Sequence, residues 1–240
     1  MTSQDEIKNT QVISYLMLRK AIGILGITFP IILIVGTIVS CGCLEIQNSI
    51  SAYYHTCMHN IFVGILCAIA LFLFTYTGYD STDSTAGNIA CIFALGVALF
   101  PTSYSGPINC CIPKIIDNGI ISTIHFISAA GLFLTLAYFS ICRFTKTKNE
   151  PESCWKRLLP KKSGQRPKGR KLIRNRIYIT CGIAMIVCII SIGIYKLIQD
   201  TNLGHSLIKL KPTFWFEALA LWAFGISWLT KGKTIYVDVE

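Results

Sequence analysis

Residues 21–43 read AIGILGITFPIILIVGTIVSCGC, an uninterrupted run with no charged side chain. About 20 apolar residues in a helix cross a ~30 Å hydrocarbon core. A helix is the economical way to cross, because it satisfies every backbone N–H and C=O internally. Working outward, five more stretches have the same character. Asn60–Tyr79 and Ala86–Thr102 carry no charge, Gly119–Cys142 carries only His125, Ile177–Tyr195 carries none, and Pro212–Thr230 carries only Glu217. The runs are too long and too uniformly apolar for alternating barrel strands. The sequence therefore predicts an all-α bundle of six transmembrane helices within one transmembrane domain over residues 1–240, with spans of about 21–43, 60–79, 86–102, 119–142, 177–195 and 212–230.

Composition supports this. Of the 240 residues, 52% are hydrophobic and 14% charged, with mean hydropathy +0.55. Soluble domains carry about 25% charged residues, so a soluble enzyme, a disulfide scaffold and a disordered regulator are excluded. Thirteen of the twenty-two Lys and Arg residues lie in the linker 143–176. With both termini cytoplasmic, eighteen fall inside and only Lys114, Lys196, Lys209 and Lys211 outside, as the positive-inside rule requires. The localisation expected is a bacterial plasma membrane. Ile38-Val39-Ser40-Cys41 resembles a lipoprotein cleavage box, but the leader would be too long and polar at its start, so the first span is read as retained.

The net charge of +10 sits mostly in that basic linker, without aromatic interleaving, so it does not predict nucleic-acid binding. The expected partner is membrane lipid, with anionic lipid attracted to the linker. Eleven cysteines occur without a CxxC pair. Cys41, Cys43, Cys57, Cys110 and Cys111 lie near the outer boundary, where disulfides can form if that side is oxidising; free thiols are the alternative, and spacing does not choose. Pro30 should kink the first span. Ala86, Ala90, Ala94 and Ala98 form a small-residue stripe that lets a neighbouring helix approach.

All four histidines fall on the outer half. His125 and Glu217 lie at the same depth, and ionisable groups inside a membrane usually face the bundle interior and mark function. A hydrogen bond between them would satisfy both. They are the leading ligand-binding candidates, with Ser51, Tyr53 and Tyr54 as a rim. His55 and His59 are four apart, so a helix puts them on one face; with His125 they are the candidate metal ligands. At the cytoplasmic side, Asp80, Asp83 and Arg174 are candidate polar residues: Asp83 or Ser84 could cap the third helix, and Asp80 could pair with Arg174. No Walker loop, GxGxxG or GxSxG occurs.

Ser49-Ile50-Ser51-Ala52-Tyr53-Tyr54, Phe62-Val63-Gly64-Ile65-Leu66, Phe100-Pro101-Thr102, Arg174-Asn175-Arg176-Ile177-Tyr178 and the stretch Glu217 to Trp228 together resemble uncharacterised bacterial six-helix membrane proteins near the group catalogued as domain of unknown function 998. The likeness runs over most of the chain and implies no activity. In that group the positions of His55 and His59 look like Tyr and Arg, which counts against zinc there. A looser similarity to heptahelical ceramidase-like hydrolases is weakened by six spans and by the absence of HxxxH in the last helix. The leading functional expectation is a non-enzymatic protein that binds or moves a small ligand or lipid through an outward-facing polar pocket, without a cofactor. The alternatives are a zinc-dependent membrane hydrolase acting on a lipid headgroup and a scaffold whose basic linker recruits lipid or partners.

Overall fold

The computed structural model describes residues 3–76, 81–104, 119–146, 154 and 169–235, with side chains of the first helix described from Tyr15 onward. Asp80, Asp117, Cys110, Cys111 and most of the linker lie outside these residues. The described chain is helical. Its helices are α1 (Ser3–Cys41), α2 (His59–Phe74), α3 (Ser81–Leu99), α4 (Gly119–Tyr138), α5 (Arg170–Ile198), the short α6 (Asn202–Leu207) and α7 (Pro212–Lys231), with 3₁₀ turns at Ser51–His55 and Ile208–Leu210. Among the described residues four helical segments are long and apolar enough to cross a membrane: Tyr15–Cys41, Ser81–Leu99, Gly119–Arg143 and Arg170–Ile198.

Their outward faces are apolar. Val39, Leu71, Ile92 and Leu197 are 79, 63, 68 and 85% exposed. No more than 44% of any of the four apolar windows is buried within the protein. Side chains this apolar and this exposed need hydrocarbon rather than water around them, so the protein is membrane-embedded.

The six long helices pack in chain order, and α7 closes the ring by packing on both α5 and α1. Between helices in lipid there is no hydrophobic drive, so close backbone approach does the work. Glycine supplies it at two decisive seams. A Cβ on Gly225 of α7 would stand 2.7 Å from Gly23 O of α1, and one on Gly87 of α3 would stand 2.5 Å from Leu73 O of α2. The stripe Ala86, Ala90, Ala94 and Ala98 is buried, along the face that Gly87 brings against α2. Inside the ring, Phe29, Phe62, Phe139, Phe214, Phe224 and Trp228 are almost fully buried.

The helix ends form two polar layers. One, the loop end, holds residues 42–58, 100–104 and 199–213. The other, the basic end, holds Arg19, Tyr76, Asp83, Arg143, Arg174 and Lys231. A disulfide joins Cys41 to Cys57 at the loop end, Cys43 is also disulfide-bonded, and Cys142 joins Cys154 at the basic end. The free-thiol alternative therefore does not describe Cys41, Cys43 or Cys57. Pro30 lies within α1, which runs unbroken through it.

Candidate functional site

The loop end is organised by the first two turns of α7. An α-helix leaves its first backbone N–H groups without partners. Here Phe214 N donates to Asn48 O at 3.1 Å. Lys211, the residue that caps the helix in a left-handed conformation with φ 50°, donates from Nζ to Ile46 O. Glu217 lies three residues beyond Phe214, on the same face. Its Oε2 accepts from Ile50 N at 2.5 Å and Ser51 N at 3.3 Å, and its Oε1 accepts from Ser51 Oγ at 3.4 Å. The segment 46–51 is thus latched across the start of α7 by one carbonyl, one ammonium group and one carboxylate.

Glu217 and Ser51 are brought together; His125 and Glu217 are not hydrogen-bonded to each other. His125 is 1% exposed and donates from Nδ1 to Phe100 O at 2.7 Å. His55 donates from Nε2 to Thr102 O at 2.7 Å. A carbonyl oxygen only accepts, so each of these ring nitrogens carries the proton. The two histidines, from different elements, pin the chain as it leaves α3 through Phe100-Pro101-Thr102. Ser122 adds a third fastening by accepting from Ser103 N at 3.1 Å. His59 donates from Nδ1 to Tyr54 O at 2.8 Å. The three candidate metal ligands are each engaged with a main-chain carbonyl. Among the described residues no group of three or more His, Cys, Asp or Glu is arranged to hold a metal.

Tyr53 lies in the interior rather than on a rim, with no exposed surface. Its hydroxyl accepts from Gln47 N at 3.4 Å, and Gln47 Oε1 accepts from the Tyr104 hydroxyl at 3.1 Å. Burial pushes the Tyr53 phenol above its ordinary pKa; burial and then the Glu45 carboxylate do the same to Tyr104. Tyr54 is half-buried, with its ring edge-on to His59, centroids 4.3 Å apart.

No family model matches the chain, nor does any curated protein or solved structure. The site must be read from its own geometry. A cavity of about 300 Å³ opens beside the latch, at the lower end of the range typical of ligand pockets. Glu217, Lys196, Asp200, His205, Lys211 and Gln199 bring polar groups to it, and Phe126 and Tyr195 bring aromatic walls. Lys196 Nζ stands 4.5 Å from the Phe126 ring centroid. A second cavity, about 40 Å³, lies within the ring among Phe29, Phe62, Leu132 and Leu221, and Ser51 and Glu217 line it too. That volume is large enough for one water molecule. Glu217 thus stands between the open pocket and the interior.

Sequence reasoning singled out Glu217 and Ser51 but missed Lys196, Asp200 and Lys211. Their signal was available: the two lysines are among the few outside the basic half, and both flank a span end.

At the basic end, Asp83 is not a helix cap. It is 2% exposed, inside the first turn of α3, and receives a charge-assisted bond from Arg143 Nε. A π-turn, Phe139–Arg143, ends α4 with Phe144 N donating to Phe139 O at 2.9 Å. This wider turn carries Arg143 into the bundle. Arg174 lies in the first turns of α5; Asp80, its expected partner, is outside the described residues.

Proposed function

We propose that the chain is a six-span protein of a bacterial plasma membrane, with both termini cytoplasmic. It binds or moves a small polar ligand or lipid through the outward-facing pocket at its loop end. The observation that carries this reading is the cavity of about 300 Å³ lined by Lys196, Lys211, Asp200 and Glu217. Paired cations and carboxylates around an aromatic wall suit a ligand with both acidic and basic groups, such as a zwitterion.

The six-span reading is supported by the ring. α2 packs against both α1 and α3, and α7 against α5 and α1, so each lies beside helices long enough to cross. At 1.5 Å per residue, the 20 residues of α7 reach about 30 Å. Orientation rests on the crowding of Lys and Arg at the basic end. The resemblance to the six-helix proteins near domain of unknown function 998 belongs to the same proposal. Three of its segments meet at the loop end: 49–54 in the latched loop, 100–102 under the two histidines, and 217 onward in α7.

The test is native mass spectrometry of gently solubilised wild type and Lys196→Gln. The reading expects a bound metabolite or lipid in the wild type, depleted in the variant. An empty wild type with an unchanged variant spectrum overturns it.

A further inference from the structure

The pocket at the loop end lies among hydrocarbon-facing side chains. At 1.5 Å per residue, Lys196, Glu217 and Phe126 stand roughly 3 to 10 Å inside the ends of α5, α7 and α4. In a chain that spans a bilayer this is the level at which headgroups give way to hydrocarbon. Their neighbours along each helix are apolar and exposed: Ile194 and Leu197 on α5, Ile124 and Ile127 on α4, and Trp215 on α7. Ile208, in the turn that leads into α7, lines the pocket and is itself exposed. One turn deeper than Lys196, Gly193 leaves the surface of α5 bare, since a Cβ there would meet nothing within 4 Å. Apolar side chains exposed around a polar pocket suit an amphiphile. A fully water-soluble ligand would make no use of them.

Charge narrows the headgroup. The Lys196 ammonium and the Asp200 carboxylate have no hydrogen-bond or ion-pair partner among the described residues. Glu217 and Lys211, by contrast, are engaged by the 46–51 segment. Lys196 is therefore open to a phosphate and Asp200 to an ammonium, each pairing being charge-assisted. The Phe126 face, which could take a quaternary ammonium, already carries Lys196 Nζ at 4.5 Å from its centroid. A primary ammonium needs no such face and donates hydrogen bonds to Asp200 directly. The cavity of about 300 Å³ is at the small end for drug-sized ligands. It admits a headgroup and leaves acyl chains outside, against the exposed apolar residues.

We propose that this pocket takes a phospholipid headgroup carrying a phosphate and a primary ammonium, from the leaflet at the loop end, with the chains lying against α4 and α5. The proposal rests on the ligand-binding reading above and narrows it to an amphiphile.

The full-length protein, reconstituted in vesicles of equal parts phosphatidylethanolamine and phosphatidylglycerol, is extracted into mild detergent and examined by native mass spectrometry. Glycerophosphoethanolamine, the same headgroup without chains, is the second probe. The wild type is expected to retain phosphatidylethanolamine in preference to phosphatidylglycerol, and to bind the chainless headgroup far more weakly. Lys196→Gln should lower retention about tenfold, the loss of a hydrogen bond from a charged donor. Asp200→Asn, at an exposed position, should lower it about threefold. Lys209→Gln, outside the pocket lining, should retain the lipid like the wild type. Equal retention of the two lipids, or of phosphatidylethanolamine in the wild type and Lys196→Gln, overturns the proposal. Glycerophosphoethanolamine bound as tightly as the lipid also overturns it, but leaves the pocket reading standing. A wild type empty of every probe and of any co-purified ligand overturns both. If Lys196→Gln does not fold, Asp200→Asn and Lys209→Gln still decide it.

Discussion

Replacing Glu217 with glutamine should unlatch the 46–51 segment while leaving the ring intact. The carboxylate takes two backbone amides and one hydroxyl from residues 50 and 51. Hydrogen bonds to a charged acceptor contribute about 1.5–3 kcal/mol each. Glutamine keeps one acceptor oxygen but turns an NH₂ toward groups that are themselves donors. The net loss expected is about 2 kcal/mol, or roughly thirtyfold in the local opening equilibrium. The Cys41–Cys57 bond tethers the loop's far side, so opening should stay local. Amide hydrogen exchange at Ile50 and Ser51 reads it directly, and both should exchange roughly thirtyfold faster in Glu217→Gln. Ser51→Ala removes only the 3.4 Å hydroxyl contact, worth about 1 kcal/mol or less, and should raise exchange no more than about fivefold. Unchanged exchange in Glu217→Gln, or an equal rise in Ser51→Ala, would refute the latch.

Asp83→Asn leaves Arg143 buried without its counter-ion, and should cost about 3–5 kcal/mol in thermal melting of the solubilised protein; Lys233→Gln, at an exposed position, should melt like the wild type. Gly87→Val drives side-chain atoms into Leu73 O and should cost about 1–3 kcal/mol, whereas Gly193→Ala, which meets nothing within 4 Å, should be tolerated. In the proposed orientation the basic end faces a reducing cytoplasm. There the Cys142–Cys154 bond should be held reduced, so alkylation in cells before lysis should modify Cys142 and Cys154 and spare Cys41 and Cys57; the reverse pattern would invert the topology. Tyr53 and Tyr104 hold their protons above the ordinary phenol pKa of 10.0. The unfolded chain releases these protons near that value while the folded one keeps them. Stability should fall as pH rises through 10, and phenolate absorbance of the folded protein should show at least two tyrosines titrating late, fewer by one in Tyr104→Phe.

The membrane character was legible because uncharged runs and basic clusters are local properties of the chain. So was Glu217 as an anomaly, a lone carboxylate in an apolar stretch. Its partner was not. His125 shares its depth, but depth does not fix azimuth around a helix, and the amides of Ile50 and Ser51 carry no sequence signal as donors. The two histidines fasten Phe100 and Thr102 through main-chain carbonyls, which spacing cannot reveal. Asp83 read as a helix cap because position within a loop is local. The π-turn that brings Arg143 to it is set by packing against α5, where Ser140 Oγ donates to Tyr178 O at 2.7 Å.

In the proposed orientation the pocket beside Glu217 opens to the outside. Labelling of intact cells with a membrane-impermeant maleimide reads this, with Asp200→Cys at the pocket and Thr234→Cys at the basic end measured against the parent protein's background. Asp200→Cys should label in intact cells and Thr234→Cys only after permeabilisation. Labelling of Thr234→Cys alone in intact cells would contradict it.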